Sequence, residues 1–379
     1  MEKKEIGLYI HIPFCKSKCH YCDFNSFSGR DSIVPAYFDS LKREIGLYGD
    51  RLKNHIIKTI FIGGGTPSYI EPHYINEAIN LCRQKLDVKS NAEISIETNP
   101  GTLSYKKLIA YKTIGINRLS IGLQAWQNHI LKELGRIHTN SEYIENFLEA
   151  RKAGFSNINT DLIFGLPGQT LKDWNETLDK VIELKPEHLS CYSLKIEEGT
   201  EFGRLQEAGK LEEIEDELDR EMYYIAIEKL KEAGFGHYEI SNFAKPGYEC
   251  KHNLIYWKAE EYIGFGAGAH SYFQSRRYNN ASNPEEYSAA LNRGIQPLEN
   301  IQEIDREEQM SEYMLLGLRL IEGIDCLEFE SRFNANVFSL YGDRITALCK
   351  KKLLETEEGF IRLTPKGLDL ANEVFMEFI

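Results

Sequence analysis

The sequence predicts an α/β fold in which a partial barrel of six βα units is followed by a smaller, mostly helical domain of winged-helix type. Apolar runs of strand length alternate with helical patterns from residue 5 to residue 196, which indicates a parallel sheet built from right-handed crossovers. Polar residues stand at the ends of these runs, where parallel sheets build their sites. Six units are too few for a closed eight-stranded barrel, so an open barrel is expected.

The predicted elements of the barrel alternate regularly. The strands lie at residues 5–13, 57–62, 94–100, 118–124, 158–164 and 189–196. Helical patterns separate them, at about 33–48 and 72–86 and beginning near residues 104, 126, 141 and 170. Asp31 or Ser32 is expected to cap the first helix, because short polar side chains accept hydrogen bonds from the free N–H groups at the start of a helix.

The pattern changes after the sixth strand. A helix that reaches about residue 233 is followed by a stretch rich in glycine, aromatic and polar residues at 237–280. Helical stretches at about 306–321, 326–333 and 337–352 then precede a hairpin around Gly359 and a last helix after Pro365. We therefore divide the chain into a barrel domain at 1–235, a connecting loop-and-strand region at 236–300 and a C-terminal domain at 301–379.

The overall composition narrows the classes of function. The 379 residues carry a net charge of −13, and such an acidic balance argues against a nucleic-acid partner. No apolar run approaches the ~20 residues of a transmembrane helix. The first residues do not resemble a signal peptide either. We therefore expect a cytoplasmic protein without a transmembrane segment.

Cys15, Cys19 and Cys22 form the pattern C-x3-C-x2-C directly after the first predicted strand. Three thiolates at this spacing can point into one small loop, and such a set selects zinc or an iron–sulfur cluster. The alternatives are a zinc knuckle completed by His11 or His20, a redox disulfide between the last two cysteines, and a set of buried thiols. The polar surroundings favour a metal centre. A four-iron cluster would leave one iron without a local protein ligand.

Further residues suited to binding lie where predicted strands end. The stretch 63–66 (Gly-Gly-Gly-Thr) follows the second strand, and Glu97, Gln124 and Asp161 lie in or at the ends of the third, fourth and fifth. Each could be an ordinary surface or capping residue. Because the C-terminal ends of parallel strands meet at one face, we expect them to form a single large site. Glycine lets the backbone approach a ligand closely. The planar guanidinium of Arg136 can bind a carboxylate through two parallel hydrogen bonds.

The cysteine pattern, with Tyr21 before its last cysteine, resembles the signature of the radical S-adenosylmethionine (SAM) superfamily. The resemblance implies a TIM-like radical SAM barrel with a [4Fe-4S] cluster on the three cysteines and SAM on the remaining iron. It also implies that the glycine-rich stretch meets the amino group of SAM. Carried over residue by residue, the SAM contacts are Tyr9, Tyr21, Gly64, Gly65, Thr66, Glu97, Gln124, Arg136 and Asp161.

Longer stretches resemble the family of the oxygen-independent coproporphyrinogen III oxidase (HemN) and its relatives. They lie at residues 9–15, 63–68, 117–124, 135–138, 159–170, 238–244, 252–257 and 264–271 and together cover nearly the whole chain. The oxidase has a fourth cysteine two residues after the third, where this chain has Phe24, and it has an N-terminal extension before its first strand. Both differences, and the H-N-x-x-Y-W run that begins at His252, match the HemW branch, which resembles a radical SAM heme chaperone.

The HemW resemblance implies that the protein binds heme and delivers it to haemoproteins of the respiratory chain. It also implies an electron donor of flavodoxin or ferredoxin type, and it is compatible with a homodimer. His252 is the candidate heme contact, because a neutral imidazole is a common ligand of heme iron. A buried histidine satisfied by its neighbours is the alternative, and Cys250 is a weaker candidate.

A second function stays open, namely oxidative decarboxylation of coproporphyrinogen III through a 5′-deoxyadenosyl radical. The presence of Phe24 favours the carrier. The intact set of SAM contacts favours an enzymatic step, since a pure carrier has no evident need of a radical generator. Whether the protein is an enzyme is therefore left open by the sequence.

Overall fold

A computed structural model describes residues 3–379 of the chain. Its centre is a sheet of six parallel strands that stand side by side in chain order. They are β1 (Lys4–Ile12), β2 (His55–Gly64), β3 (Val88–Thr98), β4 (Arg118–Gln124), β5 (Ile158–Phe164) and β6 (His188–Ser193). Buried residues run almost unbroken along β4 and β5, as in parallel sheets covered on both faces. The predicted partial barrel of six βα units is confirmed.

Helices connect these strands and cover the outside of the sheet. They are α1 (Val34–Leu47), α2 (Pro72–Lys85), α3 (Tyr105–Ile114), α4 (Asn128–Glu133), α5 (Asn140–Lys152) and α6 (Leu171–Glu183). The predicted side-chain cap of α1 is wrong, because Asp31 and Ser32 lie inside a 3-10 turn and no side chain caps the helix. Pro35 in the first turn has no N–H for a cap to satisfy.

Six further strands extend the sheet at both edges. β7 (Gly236–Glu239) and β8 (Asn242–Ala244) lie beyond β6, and β9 (Tyr262–Phe265), β10 (His270–Phe273), β11 (Arg276–Asn280) and β12 (Leu298–Glu303) lie beyond β1. Only β9 among these is parallel to its barrel neighbour. The stretch 236–300, which the sequence predicts to be a connecting loop-and-strand region, adds its strands to the edges of the barrel sheet. The added strands have only three to six residues, so their alternation of buried and exposed side chains is too short to fix their bounds from the sequence.

Four helices accompany the sixth strand and the added strands. They are α7 (Glu201–Glu207), α8 (Asp216–Glu232), α9 (Lys251–Trp257) and α10 (Pro284–Asn292). The short helix α9 packs against β1 and β2. It places His252 and Tyr256 at a cavity of about 210 Å³, which we call the interior cavity. Residues of all six barrel strands line this cavity, so the sheet curves around it.

The C-terminal part has its own hydrophobic core. It contains α11 (Arg306–Gly317), α12 (Cys326–Phe333), α13 (Val337–Lys350), α14 (Pro365–Asp369) and α15 (Ala371–Met376), with the short strands β13 (Ile324–Asp325), β14 (Leu354–Glu357) and β15 (Phe360–Leu363). The predicted helical domain with a hairpin around Gly359 is confirmed. Among residues 3–379, no helix combines the length and apolar character that a membrane crossing requires.

Candidate functional site

The three cysteines of the C-x3-C-x2-C pattern line one cavity of about 340 Å³ at the C-terminal ends of the barrel strands. We call it the upper cavity. All three thiols are free. Thr66 Oγ1 lies 3.5 Å from Cys15 Sγ, and Arg136 Nη1 donates to Cys19 Sγ over 3.5 Å. Burial raises the pKa of the Cys15 and Cys22 thiols, and the hydroxyl of Thr66 beside Cys15 opposes that rise.

The donor set suits a cluster better than a single ion. Within the described part of the chain, no three His, Cys, Asp or Glu side chains converge closely enough to hold one metal ion. A cubane is held by thiolates on separate irons, which suits cysteines spread around a wider opening. The backbone also leaves room beside Cys15. A Cβ on Gly65 would come within 3.0 Å of Cys15 Sγ and 2.8 Å of the Phe14 carbonyl oxygen. The residues present therefore fit a [4Fe-4S] cluster.

The glycine-rich stretch at the C-terminal end of β2 meets a buried carboxyl group. Gly64 adopts φ +115°, a conformation that L side chains rarely adopt, and its N–H donates to Glu97 Oε2 over 3.0 Å. A Cβ on Gly63 would stand 2.8 Å from the same oxygen. Burial, and then the charge of Asp161, raises the pKa of Glu97 to about 8. A cationic ligand in the upper cavity would lower that pKa and restore the charge.

Arg136 forms the opposite wall and is held by two short hydrogen bonds. Its Nη2 donates to Asn99 Oδ1 and to the Gly122 carbonyl oxygen, each over 2.6 Å. Its Nε is buried without a protein partner. Leaving a charged donor unpaired in the interior is costly, so this atom points to a missing acceptor in the cavity.

Gln124, the last residue of β4, and Asp161, in the middle of β5, complete the wall. Gln124 has φ +71°, and the ladder between β4 and β5 shifts register between Gly122 and Gln124. Such strained backbone is characteristic of positions where a side chain is aimed for function. Asp161 accepts hydrogen bonds from Ser120 Oγ and Asn159 Nδ2, both over 2.8 Å. These two bonds fix the carboxylate at the cavity surface.

Comparisons with known proteins agree with this geometry. A family model described as the radical SAM superfamily matches residues 9–181, and one described as the HemN C-terminal domain matches residues 304–370. The heme chaperone HemW of Bacillus subtilis (strain 168) is 39% identical over 372 residues and 98% of both chains. This chain belongs to the HemW family. The HemW of Lactococcus lactis subsp. lactis (strain IL1403) is 37% identical over 382 residues, 100% of this chain and 98% of the relative.

The fold of the HemW family is also seen in a solved structure. The coproporphyrinogen III oxidase HemN from Escherichia coli superposes with a TM-score of 0.86 over 100% of this chain and 91% of its own. The two sequences are 24% identical, so the likeness shows the fold alone. Membership of the radical SAM superfamily implies a [4Fe-4S] cluster and SAM as the cofactors of this HemW-family chain.

The upper cavity gathers most of the residues that the sequence singles out. Its walls include Cys15, Cys19, Cys22, Tyr21, Gly64, Gly65, Thr66, Glu97, Gln124, Arg136 and Asp161. Tyr9 lies outside it and lines the interior cavity, and its hydroxyl is hydrogen bonded to His11 Nδ1 over 2.9 Å.

His252 also lies outside the upper cavity and is the buried, satisfied histidine of the alternative interpretation. Its ring Nδ1 is paired with Thr59 Oγ1 at 2.7 Å and its Nε2 with Tyr256 Oη at 2.9 Å. Burial lowers its pKa to about 3. With both nitrogens engaged, the ring has no lone pair for heme iron in this conformation. Cys250 is buried beside Glu93. A heme contact at either residue stays a prediction.

Asn99 is a wall residue that the sequence did not single out. Its Nδ2 donates to Thr66 Oγ1 over 3.0 Å, and its Oδ1 accepts from Arg136. It therefore connects the glycine-rich stretch to the guanidinium across the cavity. Its position two residues after Glu97, at the same strand end, was the available signal.

Proposed function

We propose that this protein is a heme chaperone of the radical SAM type, which binds heme and passes it to haemoproteins of the respiratory chain. Support comes from relatives named heme chaperone HemW that match along almost the entire chain. The proposal includes the residues that would hold the [4Fe-4S] cluster, the residues that would bind SAM, and the binding of heme. A reducing partner of flavodoxin or ferredoxin type and a homodimer stay predictions.

The observation that carries the proposal is the position of Phe24. The side chain follows the third cysteine by two residues, where the oxidase has a further cysteine, and it is 62% exposed. It lines the upper cavity and a neighbouring one. A phenyl ring has no thiol, no proton to exchange and no metal-binding atom. Chemistry that needs a fourth cysteine is therefore excluded, whereas an exposed aromatic ring suits contact with a porphyrin.

We assign the cluster to Cys15, Cys19 and Cys22, and SAM to the rest of the upper cavity. When bound, the cluster can supply an electron to the sulfonium of SAM. The free Nε of Arg136 suits the SAM carboxylate. Glu97 suits a cationic amino group and Asp161 a ribose hydroxyl, because each presents a carboxyl group to the cavity.

The test separates the carrier from the decarboxylase. Anaerobically reconstituted protein is incubated with coproporphyrinogen III, SAM and reductant, and a parallel sample is titrated with heme. We expect no harderoporphyrinogen or protoporphyrinogen IX, and one heme per chain at saturation. Phe24→Cys is the variant to compare with the unmodified protein, since it introduces a cysteine at the position where the oxidase has one. Turnover of coproporphyrinogen III by the unmodified protein at enzyme-like rates would refute the carrier, and so would the absence of heme binding.

A further inference from the structure

A third cavity adjoins the upper cavity on the side of the added strands. It measures about 380 Å³, within the range of roughly 300–1,000 Å³ that small-molecule sites occupy. We call it the lateral cavity. Phe24, Tyr256, Tyr262 and His270 line it. Glu97 and Gly64 belong to both the lateral and the upper cavity, so a ligand in one lies next to a ligand in the other.

The lateral cavity combines aromatic walls with imidazoles. Phe24 is an exposed ring at its mouth, whereas Tyr256 and Tyr262 are partly buried and meet edge to face at 4.7 Å between ring centroids. Rings arranged in this way are rigid and present flat apolar surface. A flat, largely apolar ligand with one solvent-facing edge fits such walls better than a small polar ligand does.

Only one histidine at this site is available to a ligand. His11 has both ring nitrogens engaged, Nδ1 with Tyr9 Oη at 2.9 Å and Nε2 with the Asn25 carbonyl oxygen at 2.8 Å. His252, behind Tyr256, is likewise engaged at both nitrogens. The ring of His270 is exposed and has no hydrogen-bond partner within residues 3–379.

The backbone that carries His270 is fixed by close packing. His270 opens β10 and faces Asn279 of β11 in the ladder. Its carbonyl oxygen would lie 2.2 Å from a Cβ on Gly264, so β9 and β10 approach as closely as glycine permits. The next residue, Ser271, accepts the Gly264 N–H at its Oγ over 2.9 Å. The imidazole therefore projects from a rigid strand, which is what a metal ligand requires.

We propose that the lateral cavity is the heme site, with His270 as the protein ligand of the iron and Phe24 against the porphyrin. This assignment rests on the proposed function, because the ligand is taken to be heme. Tyr256 and Tyr262 form the inner wall, and the polar edge of the porphyrin faces solvent past Phe24. The heme then lies beside the upper cavity rather than in the interior cavity around His252.

The experiment is a heme titration of the anaerobically reconstituted protein, followed by the Soret band. Loss of an outer partner of a metal ligand costs about 10- to 100-fold in affinity, so loss of the ligand itself should cost at least about tenfold. We expect that loss, with a shifted Soret band, in His270→Ala, and recovery of the wild-type band when imidazole is added. Phe24→Ala should weaken binding by about three- to tenfold and leave the ligand spectrum unchanged.

His129→Ala is the matched control, because it removes an exposed histidine on α4 that does not line the cavity. It should bind heme as the wild type does. His270→Gln tests the same ligand if the alanine variant does not fold. Wild-type affinity and Soret band in a folded His270 variant would overturn the site and leave the heme chaperone function standing. If the wild type binds no heme, the function and the site both fall.

Discussion

The buried carboxyl of Glu97 makes a quantitative test of the upper cavity. Burial and the neighbouring Asp161 raise its pKa from 4.5 to about 8. The ligand-free folded state therefore holds a proton on Glu97 at neutral pH, which the unfolded chain releases. Because the folded state binds more protons, the free energy of unfolding falls as the pH rises from about 4.5 to about 8. Glu97→Gln keeps the acceptor for the Gly64 N–H and removes the titration.

The expected size follows from the shift. Each pKa unit corresponds to about 1.4 kcal/mol, so the full shift is worth about 5 kcal/mol at high pH. Solvent in the cavity screens the carboxylate, and we take about half of that value. The Gln variant should then gain about 2 kcal/mol of stability over the wild type at pH 8, and less than about 0.5 kcal/mol at pH 5. The same change should weaken SAM binding, because it removes a carboxylate that can pair with a cation.

The assay is urea unfolding of the ligand-free protein at pH 5, 6.5 and 8, followed by far-UV circular dichroism. Glu145→Gln, which replaces an exposed glutamate on α5, is the control and should show a constant difference from the wild type. A difference between Glu97→Gln and the wild type that stays flat or shrinks as the pH rises would refute the reasoning. So would tighter SAM binding by the variant.

Two further predictions concern the cofactors. Cys15→Ala should abolish the cluster absorbance after anaerobic reconstitution. Cys82→Ala should retain it, because that thiol is fully buried in the hydrophobic core. Iron and sulfide analysis of both variants measures the cluster content, and equal content in the two variants would contradict the assignment. Arg136→Lys should weaken SAM binding by about tenfold or more, because an ammonium cannot replace two simultaneous guanidinium contacts. A SAM titration followed by the EPR spectrum of the reduced cluster measures the affinity. An unchanged titration would count against the assignment.

The sequence allowed the upper cavity to be predicted almost completely. The reason is topological: residues at the ends of neighbouring parallel strands must meet at one face of the sheet. Glu97 on β3, Gln124 on β4 and Asp161 on β5 were placed together on this rule alone, and the structure brings them to one cavity. The position of Arg136 in this cavity did not follow from the strand rule, because the residue lies in a loop after α4 and no periodicity fixes where a loop returns.

The surroundings of His252 could not be predicted in the same way. The H-N-x-x-Y-W run is a polar and aromatic segment. Nothing in it shows that Thr59 and Tyr256 pair with the two ring nitrogens of His252. Those contacts depend on the packing of α9 inside the barrel. Likewise, His270 belongs to a strand that pairs with the sheet only because β9 lies beside β1, a pairing of residues about 250 positions apart that local sequence does not reveal.

Glu97 lines the upper, the interior and the lateral cavity. Its shared position suggests a reason why a heme carrier retains residues that bind SAM. On the proposed assignments, SAM and heme bind on either side of one carboxyl group whose ionisation depends on the charge beside it. SAM would favour the ionised form, which changes the field at the heme. Two ligands that bias the same group have coupled affinities, and the coupling must be equal in both directions. SAM can then influence heme binding through occupancy alone, without being cleaved.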